Sequence, residues 1–158
     1  MRSDPQTVWY FAYGSNMQRD TFERRRAQRP IARRVGRLDG FRLTFDLPVG
    51  AGERGVANIQ AGAGASTYGV LYRIDRSAVG ALDRSEGVPV AYRKLWTTIQ
   101  SGAHGISAFT YISPHRRAGR KPSARYIGLL LDGARQHGLP ADWVALLESL
   151  ELAVDERE

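Results

Sequence analysis

The chain contains no cysteine, which excludes disulfides, thiolate metal ligands and a cysteine nucleophile. Lysine is almost missing as well: Lys94 and Lys121 are the only two among 23 basic residues. No stretch approaches the ~20 apolar residues that a bilayer-crossing helix needs. The first residues are mostly polar, and the apolar run behind them is too short for a secretory leader. The expectation is a cytoplasmic protein with no membrane partner. The three histidines, His104, His115 and His137, show no metal-ligand spacing. There is no G-x-x-x-x-G-K phosphate loop, and Tyr13-Gly14-Ser15-Asn16 lacks the G-x-S-x-G spacing of a nucleophile elbow. No metal and no cofactor are expected.

What is present fits one soluble domain spanning 1–158. The chain is 158 residues long, with 42% hydrophobic and 25% charged residues, which is ordinary for a globular protein able to bury roughly 70% of its unfolded surface. The formal charge is +7, carried by arginine clusters at Arg24-Arg25-Arg26, Arg33-Arg34 and Arg116-Arg117 with Arg120-Lys121. Such clusters read first as solvated faces. They lack the interleaved aromatics of a single-strand binder, so no nucleic-acid partner is expected, although a positive field also attracts small anions.

The pattern predicts a strand at 8–13, a helix near 18–28, and a strand pair across Ala32 to Phe45. Short strands follow at 56–60 and 67–74, with Leu47 to Gly55 and Ala61 to Ser66 as Gly/Ala/Pro-rich loops. Asp75 can cap a helix from Arg76 to Ser85, ended by Gly87 and Pro89. Strands at 92–100 and 105–112 precede a basic loop from Pro114 to Pro122. Helices at 123–137 and 140–150 close the chain, with Ser123 and Gly138 punctuating the first.

Two segments carry the chemistry. In Tyr10-Phe11-Ala12-Tyr13-Gly14-Ser15-Asn16-Met17 a buried strand stops abruptly at Gly-Ser-Asn and runs into a polar, helix-forming stretch. Ser15 or Asn16 would be the N-cap. Backbone N–H groups at such a junction suit a carboxylate or an oxyanion; equally, Gly14 can simply make the turn. The second segment is Leu82-Asp83-Arg84-Ser85-Glu86-Gly87-Val88-Pro89. It puts Glu86 at a helix C-terminus, where the dipole disfavours a carboxylate and burial would make it a better base.

With both segments in view, the chain resembles the gamma-glutamylcyclotransferase family, which includes plant avirulence-induced proteins and butirosin-deprotecting enzymes. The resemblance also draws on Arg37 to Leu43, Gly55 to Ile59, Tyr68 to Tyr72, Pro122 to Tyr126 and Gly138 to Pro140, in colinear order. It implies an α+β fold, a small mixed β-barrel flanked by helices, with the pocket at one mouth. It implies Glu86 as general base, with Tyr10, Phe11, Ala12, Tyr13, Gly14, Ser15 and Tyr126 binding a small γ-glutamyl substrate. Strand alternation requires at least two of the residues from Tyr10 to Tyr13 to be core. The implied reaction releases 5-oxoproline by attack of the γ-glutamyl α-amine on its own γ-carbonyl. Two other readings stand beside it: removal of a γ-glutamyl protecting group from a biosynthetic intermediate, and a non-catalytic binding protein on the same fold. A homodimer is left open.

Overall fold

The computed structural model describes residues 6–154. Five strands close into a barrel in the order β1-β3-β2-β4-β5: β1 is Thr7–Ala12, β2 Ala32–Pro48, β3 Gly55–Asp75, β4 Arg93–Ser101 and β5 His104–Ile112. All neighbours are antiparallel except β1 and β5, which meet in parallel at Tyr10 and Phe109 and seal the barrel. Helix α1 is Val79–Ser85, α2 Ala124–His137 and α3 Ala141–Glu148.

The barrel interior is marked by Gly36. A Cβ there would lie 2.6 Å from Ile99, 3.2 Å from Leu71 and 3.2 Å from Phe11, so side chains of three other strands converge on it. Tyr10, next to Phe11, faces the opposite way. Its ring packs against Phe22, Tyr72, Phe109 and Tyr111 on the outside of the barrel. One six-residue strand thus separates two aromatic and aliphatic cores.

Several sequence expectations change in detail. The strand pair expected over Ala32 to Phe45 is one strand, and β3 runs through the expected loop at Ala61 to Ser66. Their register passes from Phe41↔Ala61 to Asp39↔Ser66, so Gly62 to Ala65 bulge out opposite Gly40 alone. Gly40 lies at φ +84 and Gly64 at φ +77, which the small side-chain-free residues accept. The strand pairing on both sides of the bulge keeps the chain in the sheet, which a local composition reading cannot see.

The helix expected over 18–28 is a 3-10 turn at Ser15–Met17 followed by a π-helical turn at Asp20–Arg25. Arg26 N–H donates to Thr21 O at 2.9 Å, closing the wide turn, and Ala27 ends it at φ +53. Phe22 occupies the space beneath, stacked on Tyr72 with centroids 4.0 Å apart. Neither Ser15 nor Asn16 caps a helix through its side chain.

The later expectations match more closely. Asp75 accepts from Ser77 N–H at 2.9 Å at the start of the short 3-10 turn leading into α1. Ser123 caps α2 by accepting Tyr126 N–H at 3.0 Å, and Gly138 ends it at φ +71. Helix α2 lies directly on the Ser15–Met17 turn. A Cβ on Gly133 would come within 2.5 Å of the Met17 backbone, so glycine is required for this approach.

Candidate active site

At the end of the barrel where β1 and β5 finish, a cavity of about 400 Å³ opens. Several separate parts of the chain build it. The β1 end and its turn supply Tyr10, Tyr13, Gly14, Ser15 and Asn16; the α1 end supplies Ser85, Glu86 and Gly87; the far walls are Ala57, Tyr92, Tyr111 and Tyr126. This size is within the usual range for a small-molecule site.

Glu86 sits at the C-cap of α1, its N–H donating to Leu82 O at 3.1 Å. Its carboxylate accepts from Asn16 Nδ2 at 2.8 Å through Oε1. The same amide group of Asn16 reaches Tyr10 Oη at 3.0 Å, and Asn16 Oδ1 accepts from Arg26 Nε at 3.3 Å. Asn16 is thus buried as a bridge between base, tyrosine and arginine. Burial pushes the Glu86 carboxyl above the ordinary glutamate range, and the Arg26 charge, then the Asn16 hydrogen bond, pull part of the way back.

Helix α1 is held in place one turn earlier. Asp83 accepts from Tyr111 Oη at 2.6 Å and pairs with Lys94 Nζ at 2.9 Å. Residues three apart share a helix face, so the anchoring of Asp83 to β4 and β5 fixes the direction of Glu86.

Tyr126 forms the opposite wall. Its hydroxyl oxygen accepts Ala57 N–H at 3.0 Å, which leaves its own proton available to the cavity. Burial raises its pKa to about 12, against the opposing effect of its hydrogen bonds with Ala57 and Ser15. It is therefore a donor at neutral pH. A Cβ on Gly14 would lie 3.1 Å from Tyr126 Oη and 3.2 Å from Ala57 Cβ, so a side chain there would crowd the hydroxyl. Tyr92 donates to Ala57 O at 2.7 Å and Tyr13 to Tyr111 O at 2.5 Å, so these rings serve as fixed, desolvating walls.

Of the residues expected from sequence, Tyr10, Tyr13, Gly14, Ser15, Glu86 and Tyr126 all line this cavity. Phe11 and Ala12 do not. Phe11 points into the barrel beneath Gly36 and Gly69, and Ala12 is a buried methyl at the strand end. Both are buried core residues and neither lines this cavity; as neighbours in β1 they point to opposite faces of the strand, so they are not one alternating pair. Other lining residues were not identified from sequence as part of a site, among them Arg26, Tyr111, Asn16 and Tyr92. Arg26 was hidden in a run of arginines, and Tyr111 read only as a β-former. Asn16 read as a cap, and Tyr92 carried no local signal.

Comparison with known proteins shows the family of the chain. The AIG2-like family model matches residues 66–147, a span that holds both Glu86 and Tyr126. The gamma-glutamylcyclotransferase of Bos taurus is 30% identical over 155 residues, covering 94% of this chain and 81% of the bovine protein. That of Homo sapiens is 29% identical over 157 residues, covering 94% of this chain and 81% of the human one. A solved gamma-glutamyl cyclotransferase structure superposes with a TM-score of 0.85 at 23% identity, over 97% of this chain and 93% of that one. The chain belongs to the AIG2-like, gamma-glutamylcyclotransferase family.

Proposed function

We propose that this protein releases 5-oxoproline from a γ-glutamyl amine or dipeptide by intramolecular cyclisation, with Glu86 as the general base. The observation that carries the reading is the Glu86 carboxylate itself. It is held at 2.8 Å by Asn16, desolvated by tyrosines and moderated by Arg26, inside a cavity sized for a small molecule.

The reaction needs little else. The α-amine nitrogen bonds to the γ-carbonyl carbon, the bond from that carbon to the leaving nitrogen breaks, and a five-membered lactam results. Nucleophile and electrophile belong to one molecule, so the cavity's main task is to fold the glutamyl chain into a reactive conformer. Lactam closure removes two protons from the attacking ammonium, and the departing amine takes up two at neutral pH. Glu86 can carry them one at a time, first as base and then as acid. The Tyr126 hydroxyl and the Ser15 region stand across the cavity as donors for the tetrahedral oxyanion.

The reading includes a cytoplasmic setting; among the described residues no helix is long and apolar enough to cross a membrane. It is tested by incubating the protein with a panel of γ-glutamyl amines and dipeptides and assaying 5-oxoproline. Release of 5-oxoproline from at least one is the expected result. Binding of these compounds without turnover would favour a non-catalytic role for the fold.

A further inference from the structure

A second cavity, of about 510 Å³, adjoins the first and shares Ser15, Arg26, Val56 and Tyr126 with it. Its remaining wall has a different character. It contains Arg25, Arg54 and Arg125 together with Ser123 and the first turn of α2, and no Asp or Glu is among its described lining residues. Arg26 thus stands at the junction, with Arg25, Arg54 and Arg125 beyond it.

Two further observations point to an anion. The Nε of Arg54 is buried and has no hydrogen-bond partner among the described residues. The guanidinium of Arg54, which lines the cavity, is therefore not saturated by the protein's own acceptors. In addition, Ser123 and Arg125 belong to the start of a 14-residue helix, whose dipole is positive at that end. Guanidinium groups around a concave surface focus positive potential into it, and the planar fork of arginine suits carboxylate or phosphate.

We propose that this second cavity binds an anionic group at the far end of the leaving amine, so that the preferred substrates are γ-glutamyl compounds extended beyond a single amino-acid leaving group and ending in a carboxylate or phosphate. The inference rests on the proposed cyclisation at Glu86. The glutamyl part occupies the first cavity, the scissile amide lies near Ser15 and Tyr126, and the leaving chain passes Arg26 into the arginine-lined space. Arg26 is the one charged residue among the four that the two cavities share.

The test compares γ-glutamyl-glycyl-glycine, its C-terminal amide and γ-glutamyl methylamide, each assayed for 5-oxoproline. The free acid should exceed its own amide in kcat/KM by roughly tenfold or more, as one charge-assisted hydrogen bond would give. That advantage should shrink at high ionic strength, and Arg54→Gln should bring the ratio of acid to amide towards one. Because Arg54 is partly buried, the exposed Arg25→Gln provides a second variant, expected to lower the same ratio. Inorganic phosphate should inhibit the tripeptide more strongly than the methylamide. Turnover of the methylamide with equal kcat/KM for acid and amide would overturn this inference alone. Absence of 5-oxoproline from all three would overturn the proposed cyclisation, and this inference with it.

Discussion

Asn16 and Glu86, seventy positions apart, meet at 2.8 Å, and this contact joins the turn after β1 to the end of α1. Neither residue is placed by its own local structure alone. Asn16 is fixed because α2 presses Gly133 against the adjoining turn, and because Tyr72 Oη donates to Asn16 O at 2.8 Å. Glu86 is fixed because Asp83 is tied to Tyr111 and Lys94.

Replacing the base without changing its shape is the simplest intervention. Glu86→Gln keeps an oxygen for Asn16 and removes the proton acceptor. Turnover should fall by on the order of 10²–10⁴ with circular dichroism unchanged, the usual worth of a general base. A folded variant with near-wild-type turnover would remove Glu86 from the mechanism.

The same substitution has a stability consequence of defined sign. Burial raises the folded-state pKa of Glu86 above its ordinary value of 4.5, so the folded protein holds that proton to a higher pH than the unfolded chain. The associated stability is fully present below about pH 4.5 and is lost as pH rises through the folded pKa. Glu86→Gln has no such loss. Its urea midpoint, measured against wild type at about pH 4 and about pH 7, should gain on wild type at the higher pH. A constant gap would show that Glu86 titrates normally.

Arg26 is the largest influence holding the Glu86 pKa down. Arg26→Gln should therefore move the acid limb of the kcat/KM profile to higher pH, the limb that reports the free enzyme's base. Asn16→Ala should move it in the same direction by less, since the Asn16 hydrogen bond ranks second. A limb that stays in place would separate the observed titration from Glu86.

In the proposed reaction Ser15 and Tyr126 position substrate and stabilise charge rather than react. Tyr126→Phe should lower kcat/KM by on the order of 10²–10³ if its hydroxyl meets the oxyanion. It also leaves Ala57 N–H unpaired, at a cost of about 1–3 kcal/mol in stability. Ser15→Ala should retain measurable turnover. A covalent glutamyl adduct trapped on Ser15 would instead indicate a serine nucleophile.

Much of this was legible in the sequence, for local reasons. The strand at Tyr10, the cap at Ser123 and the stop at Gly138 are written in short-range chemistry. The continuity of β3 was not, because Gly62 to Ala65 have a loop's composition and are held in the strand only by β2 pairing on either side. The site divides the same way. Glu86, Tyr126 and the turn after β1 lie in recognisable segments, whereas Tyr111 reaches the cavity through the parallel junction of β5 with β1, a pairing between strands far apart in the chain. Arg26 joins the site because the wide π-helical turn returns the chain onto Asn16, and a run of charges gives no sign of which member turns inward.

In the proposed reaction the attacking nitrogen belongs to the substrate, and mass spectrometry of one pair of reactions separates this from hydrolysis. A γ-glutamyl substrate with a free α-amine should give 5-oxoproline and no glutamate, because lactam closure leaves no step at which water enters. The same substrate acetylated on that amine should remain intact. Release of glutamate from the first, or of N-acetylglutamate from the second, would identify hydrolysis by water and contradict intramolecular cyclisation.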